Sequence, residues 1–332
     1  MAFAFCGPFL LLAAIPLLHA VSPAAPLLSV AALLSVLLVS ERWKPSLPPV
    51  AAAETALFFR ALPWVYIPAQ LAVIFWATLT AAQPGASGAE AAALLLSVGV
   101  TAGVFGMLTA HEMVHSHHAG EIALGVLMLT GMTYRHFRVA HIYGHHRWAG
   151  TARDAGTARL GESAYAFIGR TVAMQAIEAW RFESRRVARR GLRWWRHRGV
   201  QDVAVYAVLY GAIGAVAGWR GVLFFLGQSA VAVIVLELFN YIAHYGLMRG
   251  EAGGRREPFT DRHSWNTSNG FANRWIFNMG RHSDHHRRPA VPFEQLRPLA
   301  EGRELPAGYA GSILLAFVPP LWRRVMDKRI AP

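Results

Sequence analysis

The sequence predicts an all-α, integral-membrane fold: a bundle of about six transmembrane helices with a cytoplasmic helical cap carrying a histidine-rich metal site. Three observations predict it. Of the 332 residues, 54% are hydrophobic and only 15% charged, against roughly a quarter charged in an average soluble domain. The apolar residues gather into runs of membrane-spanning length, and nine of the 15 histidines gather into four short segments at the ends of such runs.

A span needs about 20 mostly apolar residues, and six stretches meet or approach that requirement. The first, Phe3 to Val21, has the apolar core of a secretory signal but no positively charged start. A second apolar run follows almost at once, so the segment reads as a retained membrane helix. The others are Ala24 to Ser40, Leu62 to Ala82, Ala91 to Ala110, Val203 to Gly218 and Val222 to Ala243. The second and fifth are short, but each adjoins another apolar run through a tight turn, Ser22-Pro23 in one case and Gly218-Trp219-Arg220-Gly221 in the other. Both are therefore expected as hairpin partners. The run from Ile122 to Thr133 is too short to span and is expected to lie at the interface or against the bundle.

Charge orients the bundle. With a cytoplasmic N-terminus, the outer connections are His19 to Pro26, Gln83 to Glu90 and Trp219 to Gly221, and only Arg220 of the 32 Lys and Arg residues lies outside. That is the positive-inside pattern. It places residues 111–200 and 244–332 on the cytoplasmic side, within a single membrane domain covering 1–332. The net charge of +13 then belongs to the inner membrane face rather than to nucleic-acid binding. The lone cysteine, Cys6, excludes a disulfide framework and any Cys-rich iron or zinc module, so a redox enzyme built on this chain must receive its electrons from elsewhere.

The histidine segments are His111-Glu112-Met113-Val114-His115, His141-Ile142-Tyr143-Gly144-His145-His146, the single His244 within Asn240 to Gly246, and His282-Ser283-Asp284-His285-His286. Residues four apart share a helical face, so paired imidazoles can reach one metal environment. Taken alone, H-E-x-x-H also opens the zinc metalloprotease signature. A catalytic zinc needs three protein ligands, however, and nine clustered histidines suit two metal centres of four or five imidazoles each. Imidazole binds iron, copper, nickel and zinc alike, so the residues alone leave the metal open.

In their order and surroundings these segments resemble the four histidine motifs of the alkane 1-monooxygenase family, within the fatty acid desaturase/hydroxylase superfamily. The Arg281-His282-Ser283-Asp284-His285-His286 box is the most specific of them. Gly161-Glu162-Ser163, His263-Ser264-Trp265-Asn266 and Leu305-Pro306-x-Gly308-Tyr309 extend the likeness over about Thr101 to Asp327. The resemblance implies a di-iron site without a bridging carboxylate, held by His111, His115, His141, His145, His146, His244, His282, His285 and His286. It implies O2 as co-substrate and hydroxylation of a hydrophobic chain, most simply the end of an alkane or alkyl group. Electrons would come from NAD(P)H through rubredoxin or a ferredoxin and its reductase, and the setting would be a bacterial inner membrane. A fatty-acyl desaturase is the near alternative. A metal carrier is more remote, because it would need ionisable residues spread along the spans and only Glu237 is clearly placed that way.

The chain departs from the family at Ala140 and Ala243, where Glu usually precedes the histidine. Among the carboxylates present, Glu112 and Asp284 lie inside histidine boxes and are expected to support ligand rings from behind. Glu237 lies inside the last span, two turns before His244, where an unpaired carboxylate would cost several kcal/mol, and a hydrogen bond to a ligand histidine is expected. His117 and His118 are expected at the interface. His19, His136, His197 and His263 have no ligand-like pairing. The Arg-rich run from Arg181 to Arg198, with Trp180, Trp194 and Trp195, suits anionic lipid head groups or an acidic electron carrier. Phe75-Trp76 could line a path for substrate.

Overall fold

The computed structural model describes residues 2–41, 52–252, 255–267, 269–298 and 302–330. The C-terminal cap expected over 244–332 is therefore described only in part. Backbone groups in lipid must be satisfied within the segment, and the apolar runs do this by forming helices, so that the chain is mostly helical (74%). Four described helices are long and apolar enough to cross a membrane: Phe3–Val21, Ala56–Ala81, Gly88–Val114 and Arg198–His244. Two shorter apolar helices, Leu27–Glu41 and Ala119–Gly131, complete the apolar set. The structure thus belongs to an integral membrane protein.

The last long helix is not one rod. At Gly218 the backbone takes φ 61° and ψ −167°, a region essentially restricted to glycine. The chain doubles back there. The rings of Tyr210 and Phe225 lie 5.7 Å apart, whereas a straight helix rising about 1.5 Å per residue would hold them roughly 22 Å apart. Thr133 Oγ1 ties the limbs together, 2.6 Å from Tyr210 Oη and 3.2 Å from Ser229 Oγ. Residues 198–217 and 219–244 are therefore a helical hairpin, matching the turn expected at Gly218 to Gly221.

Helix Gly88–Val114 runs closely along the second limb. A Cβ at Gly99 would lie 2.6 Å from Val231 Cβ, and one at Gly103 would lie 2.7 Å from the Ala232 carbonyl oxygen. Small residues four apart allow this approach. The start of the same helix is fixed by a capping box between Ser87 and Glu90. Glu90 also meets His19 Nε2 at 2.8 Å, joining two of the connections expected on the outer side.

The end of helix Arg198–His244, which carries the third histidine motif, and the short segment carrying the fourth are strapped together by polar contacts. Asn266 Oδ1 accepts from Ser283 N at 2.9 Å, and Asn266 Nδ2 donates to Ser283 Oγ at 2.9 Å. Trp265 and Asn266 pair in parallel with Arg303 and Glu304, and Trp265 Nε1 donates to the Tyr245 carbonyl at 2.9 Å. Tyr245 Oη donates to Asp327 at 2.8 Å and accepts from Gly161 N at 2.9 Å. Gly308 has φ 55°, and a Cβ there would collide with Glu41. The Glu41 carboxylate accepts from Ala310 N at 2.9 Å, holding the start of helix Gly308–Ala316.

Candidate metal centre

The imidazoles gather because four elements deliver them to one place. His111 lies in the last turn of helix Gly88–Val114, and His244 is the final residue of Arg198–His244. His141, His145 and His146 come from a helical segment that contains a π-turn at Ala140–His145. His282, His285 and His286 come from the one-and-a-half-turn helix His282–Arg287. A second π-turn, Ala102–Gly106, precedes His111. Such turns cluster at functional sites because the added residue re-aims the side chains that follow.

The nine histidines form two groups, His111, His115, His141, His146 and His285 in one and His145, His244, His282 and His286 in the other, with potential ligand atoms within 4.8 Å of one another in each. His141 Nε2 lies 2.8, 3.1 and 2.9 Å from Nε2 of His111, His115 and His146, and His146 Nε2 lies 3.2 Å from His285 Nε2. In the second group His282 Nε2 lies 3.0 Å from His244 Nε2 and 3.1 Å from His286 Nε2. The sequence suggests that His141 and His145, four apart, face together. Instead the π-turn aligns His141 with His146, five apart, and sends His145 to the other group.

This geometry fits bound cations. A neutral imidazole carries one N–H, so four or five convergent nitrogens cannot all be paired by hydrogen bonds. Metal–imidazole bonds of about 2.1 Å at right angles would set neighbouring nitrogens roughly 3.0 Å apart, the spacing observed. Burial, reinforced by neighbouring imidazoles, pushes His141, His146, His282, His285 and His286 well below the ordinary imidazole range. It brings His115 to about 4. Their lone pairs are therefore free of protons at neutral pH.

Among the described residues the carboxylate that touches one of these rings is Asp154, a residue that no sequence periodicity marks. His145 Nδ1 meets Asp154 Oδ2 at 2.9 Å, leaving the buried Nε2 without a hydrogen-bond partner and aimed into its group. Thr157 Oγ1 and Gly156 N donate to Asp154 at 2.7 and 3.1 Å. Burial acts to raise the Asp154 carboxyl, but His145 and these hydrogen bonds hold it below its usual range. A D-x-G-T turn shortly after a histidine box is the signal that could have found it. Exchanging Asp154→Asn is expected to weaken metal retention about 10- to 100-fold, the usual cost of losing a carboxylate behind a ligand histidine. Titration with a chelator against the unaltered protein measures this.

The three carboxylates singled out from sequence sit elsewhere. Buried Glu237 accepts from Tyr134 Oη at 2.9 Å, Gln175 Nε2 at 3.0 Å and Asn240 Nδ2 at 3.0 Å, so the expected bond to a ligand histidine is replaced by three neutral donors. Asp284 is held by Arg288 and accepts from Arg297 N at 2.7 Å, which fastens the following segment rather than a ring. Glu112 accepts from Phe293 N at 3.3 Å, beside a mixed pocket of about 330 Å³ that His115, His117, His118 and Glu121 also line. His117 and His118 thus face this pocket and join neither group. Half-buried His136 packs on Tyr134, His197 is buried against Trp180, and His263 Nδ1 accepts from Thr260 N at 2.9 Å. At the positions where the family has Glu, Ala140 packs with Val139 and Ala179 in a small apolar cluster, and Ala243 is buried with its carbonyl accepting from Ser264 Oγ.

An apolar slot touches His111, His141 and His282, and Val104 and Phe239 wall it. The same two residues wall an apolar cavity of about 190 Å³ that extends away past Leu33, Leu37 and Leu238 to Leu314 and Phe317. Leu314 and Phe317 are themselves exposed on the surface. Two apolar spaces thus lie on either side of Val104 and Phe239, one against the imidazoles and the other reaching the flank of the bundle. Phe75-Trp76 does not line it.

A sequence-family profile described as "Fatty acid desaturase" matches residues 87–314. The chain is similar to alkane 1-monooxygenase 1 of Pseudomonas aeruginosa, 39% identical over 71% of this chain and 63% of that protein. It is similar to alkane 1-monooxygenase 2 of the same organism, 36% identical over 85% of this chain and 76% of that protein. The hydroxylase component of xylene/toluene monooxygenase from Pseudomonas putida is 27% identical over 72% of this chain and 64% of that protein. The chain thus spans somewhat under two thirds of the first of these relatives and about three quarters of the second.

Proposed function

This chain belongs to the fatty acid desaturase family, and on that premise we propose that it is an oxygen-dependent di-iron hydroxylase acting on the end of a hydrophobic chain, an alkane or alkyl group. The observation that carries this reading is the meeting of two convergent imidazole groups with an apolar slot, beside which a second apolar cavity reaches the flank of the bundle. His111, His115, His141, His146 and His285 would hold one iron and His145, His244, His282 and His286 the other, with Asp154 orienting His145. The bound irons would supply the activation of O2. The relatives named as alkane 1-monooxygenases support the choice of reaction and of substrate class.

The protein's own residues do the rest. Val104, Met107, Leu108, Phe137 and Phe239 exclude water around the reacting C–H bond and hold the alkyl chain end-on. Two protons and two electrons per O2 balance the reaction, one oxygen atom entering the product and the other leaving as water. Electrons would derive from NAD(P)H through rubredoxin or a ferredoxin and its reductase. Six crossings of a bacterial inner membrane, with both termini and the imidazoles on the cytoplasmic side, are supported by the Gly218 hairpin and by the distribution of Lys and Arg.

Desaturation is the second reading, favoured by the family profile's description. Incubation with an alkane, a reductase system and isotopically labelled O2, followed by mass spectrometry, separates the two. A product alcohol carrying one labelled oxygen is expected. An unlabelled olefin as the only product would make the chain a desaturase.

A further inference from the structure

We propose that a basin of arginines beside the second histidine segment is the docking surface for an acidic one-electron carrier protein. This rests on the hydroxylase reading for its purpose but not for its test. The basin, about 580 Å³, lies between that segment and the last turns of helix Ala164–Arg189, and Arg147, Arg153, Arg185, Arg189 and Arg190 line it.

Four observations converge on this surface. Those five arginines are exposed, and among the described residues none is within ion-pair distance of a carboxylate. The acidic residue on the basin wall, Glu183, is already taken by Arg186 at 2.7 Å and Arg198 at 2.9 Å. The positive charge is thus left for a partner.

The basin floor is the ligand segment itself. Ile142 and Tyr143 follow His141 directly, and Arg147 and Trp148 follow His146. A partner seated there would stand close to the imidazole groups. Trp148 also organises the charge, with the guanidinium carbons of Arg153 and Arg256 at 3.8 and 4.1 Å from its ring centroid.

The chain has one cysteine, Cys6, and cannot hold a thiolate-ligated electron store of its own. Finally, the residues suited to a lipid interface lie off the basin. Trp180 packs on His197 and Arg193 stacks over Trp195, and neither these tryptophans nor Trp194 line the arginine pocket. The Arg-rich run thus divides into an aromatic part fitted to lipid and an arginine part fitted to an acidic protein.

In operation, each reduced carrier would give up one electron and leave oxidised. Two such encounters, with two protons, would complete the reduction of the oxygen atom released as water while the other enters the C–H bond.

The test uses the full chain in phosphatidylcholine nanodiscs and an acidic rubredoxin as probe, with affinity measured at low and high salt. Tight binding at low salt is expected. Combined Arg185→Glu, Arg189→Glu and Arg190→Glu should weaken it at least about tenfold and flatten its salt dependence. Metal content and product formation driven by a small chemical reductant should stay unchanged, which shows that the variant is folded. A rubredoxin with acidic residues changed to lysine should bind the triple variant better than the original chain. Absence of binding, or equal binding by both chains, would overturn the proposal. So would an effect confined to nanodiscs containing anionic phosphatidylglycerol, which would make the basin a lipid site. If binding behaves as expected while no labelled alcohol forms, the hydroxylase reading fails and the docking surface stands.

Discussion

Replacing His282 by alanine is expected to lower iron from about two to about one per chain and to reduce product by well over 100-fold, since losing even a residue behind a ligand costs 10- to 100-fold. His282 sits between its neighbours, 3.0 Å from His244 and 3.1 Å from His286 at the Nε2 atoms. Its group has four histidines and the other has five. Removing one of four leaves three imidazoles, whereas His285→Ala leaves four in its group. The same truncation should therefore cost less iron at His285 than at His282. Iron analysis of both variants, beside product yield, checks the order. Equal iron in His282→Ala and the unaltered chain would remove this histidine from the ligand set.

Acid should destabilise the metal-free protein steeply. The free imidazole titrates near 6.5. Burial holds His115 at about 4 in the folded state, and His141, His146, His282, His285 and His286 well below their ordinary value. Below about pH 6.5 the unfolded chain therefore binds more protons than the folded one, so stability is complete above that value and falls as pH drops towards the folded values. Each histidine contributes on the order of 1.4 kcal/mol per pH unit in that window. Carboxyls raised by burial, Glu178 and Glu294 among them, work in the opposite sense and offset part of this loss. Thermal unfolding of chelator-treated protein at pH 7.5 and 5.5 should show the loss, and metal loading should reduce it. Insensitivity across this interval would mean that the rings are not buried together.

The membrane class, the Gly218 turn and the gathering of the nine histidines were legible because each follows from local chemistry: runs of apolar residues, a glycine between two apolar segments, and histidines at element ends. What escaped depends on contacts distant in sequence or on departures from the regular helix. An i,i+4 rule pairs His141 with His145, and only the π-turn shows that His146 takes that place. Asp154 sits in a loop with no periodicity to mark it. The position of Glu237 inside an apolar run shows that it needs partners, but Tyr134 and Gln175 come from remote elements that sequence spacing does not bring to it. The stretches around Gly161, Trp265 and Gly308 were noticed only by likeness. Their role is mechanical, since they hold Tyr245, the Ser283 turn and helix Gly308–Ala316 in place.

The strap at Asn266 also sets an order of events during synthesis. Ser283, between His282 and Asp284, is fastened through Asn266, whose carbonyl in turn accepts from Leu305 N at 2.8 Å. Residues 303–305 must therefore have left the ribosome before the fourth motif is braced, long after His111 and His141 have entered the nascent bundle. Because this motif gives His285 to one group and His282 and His286 to the other, both groups are completed late in biogenesis. A chain arrested before residue 303 would present membrane-inserted helices and an unfinished chelate.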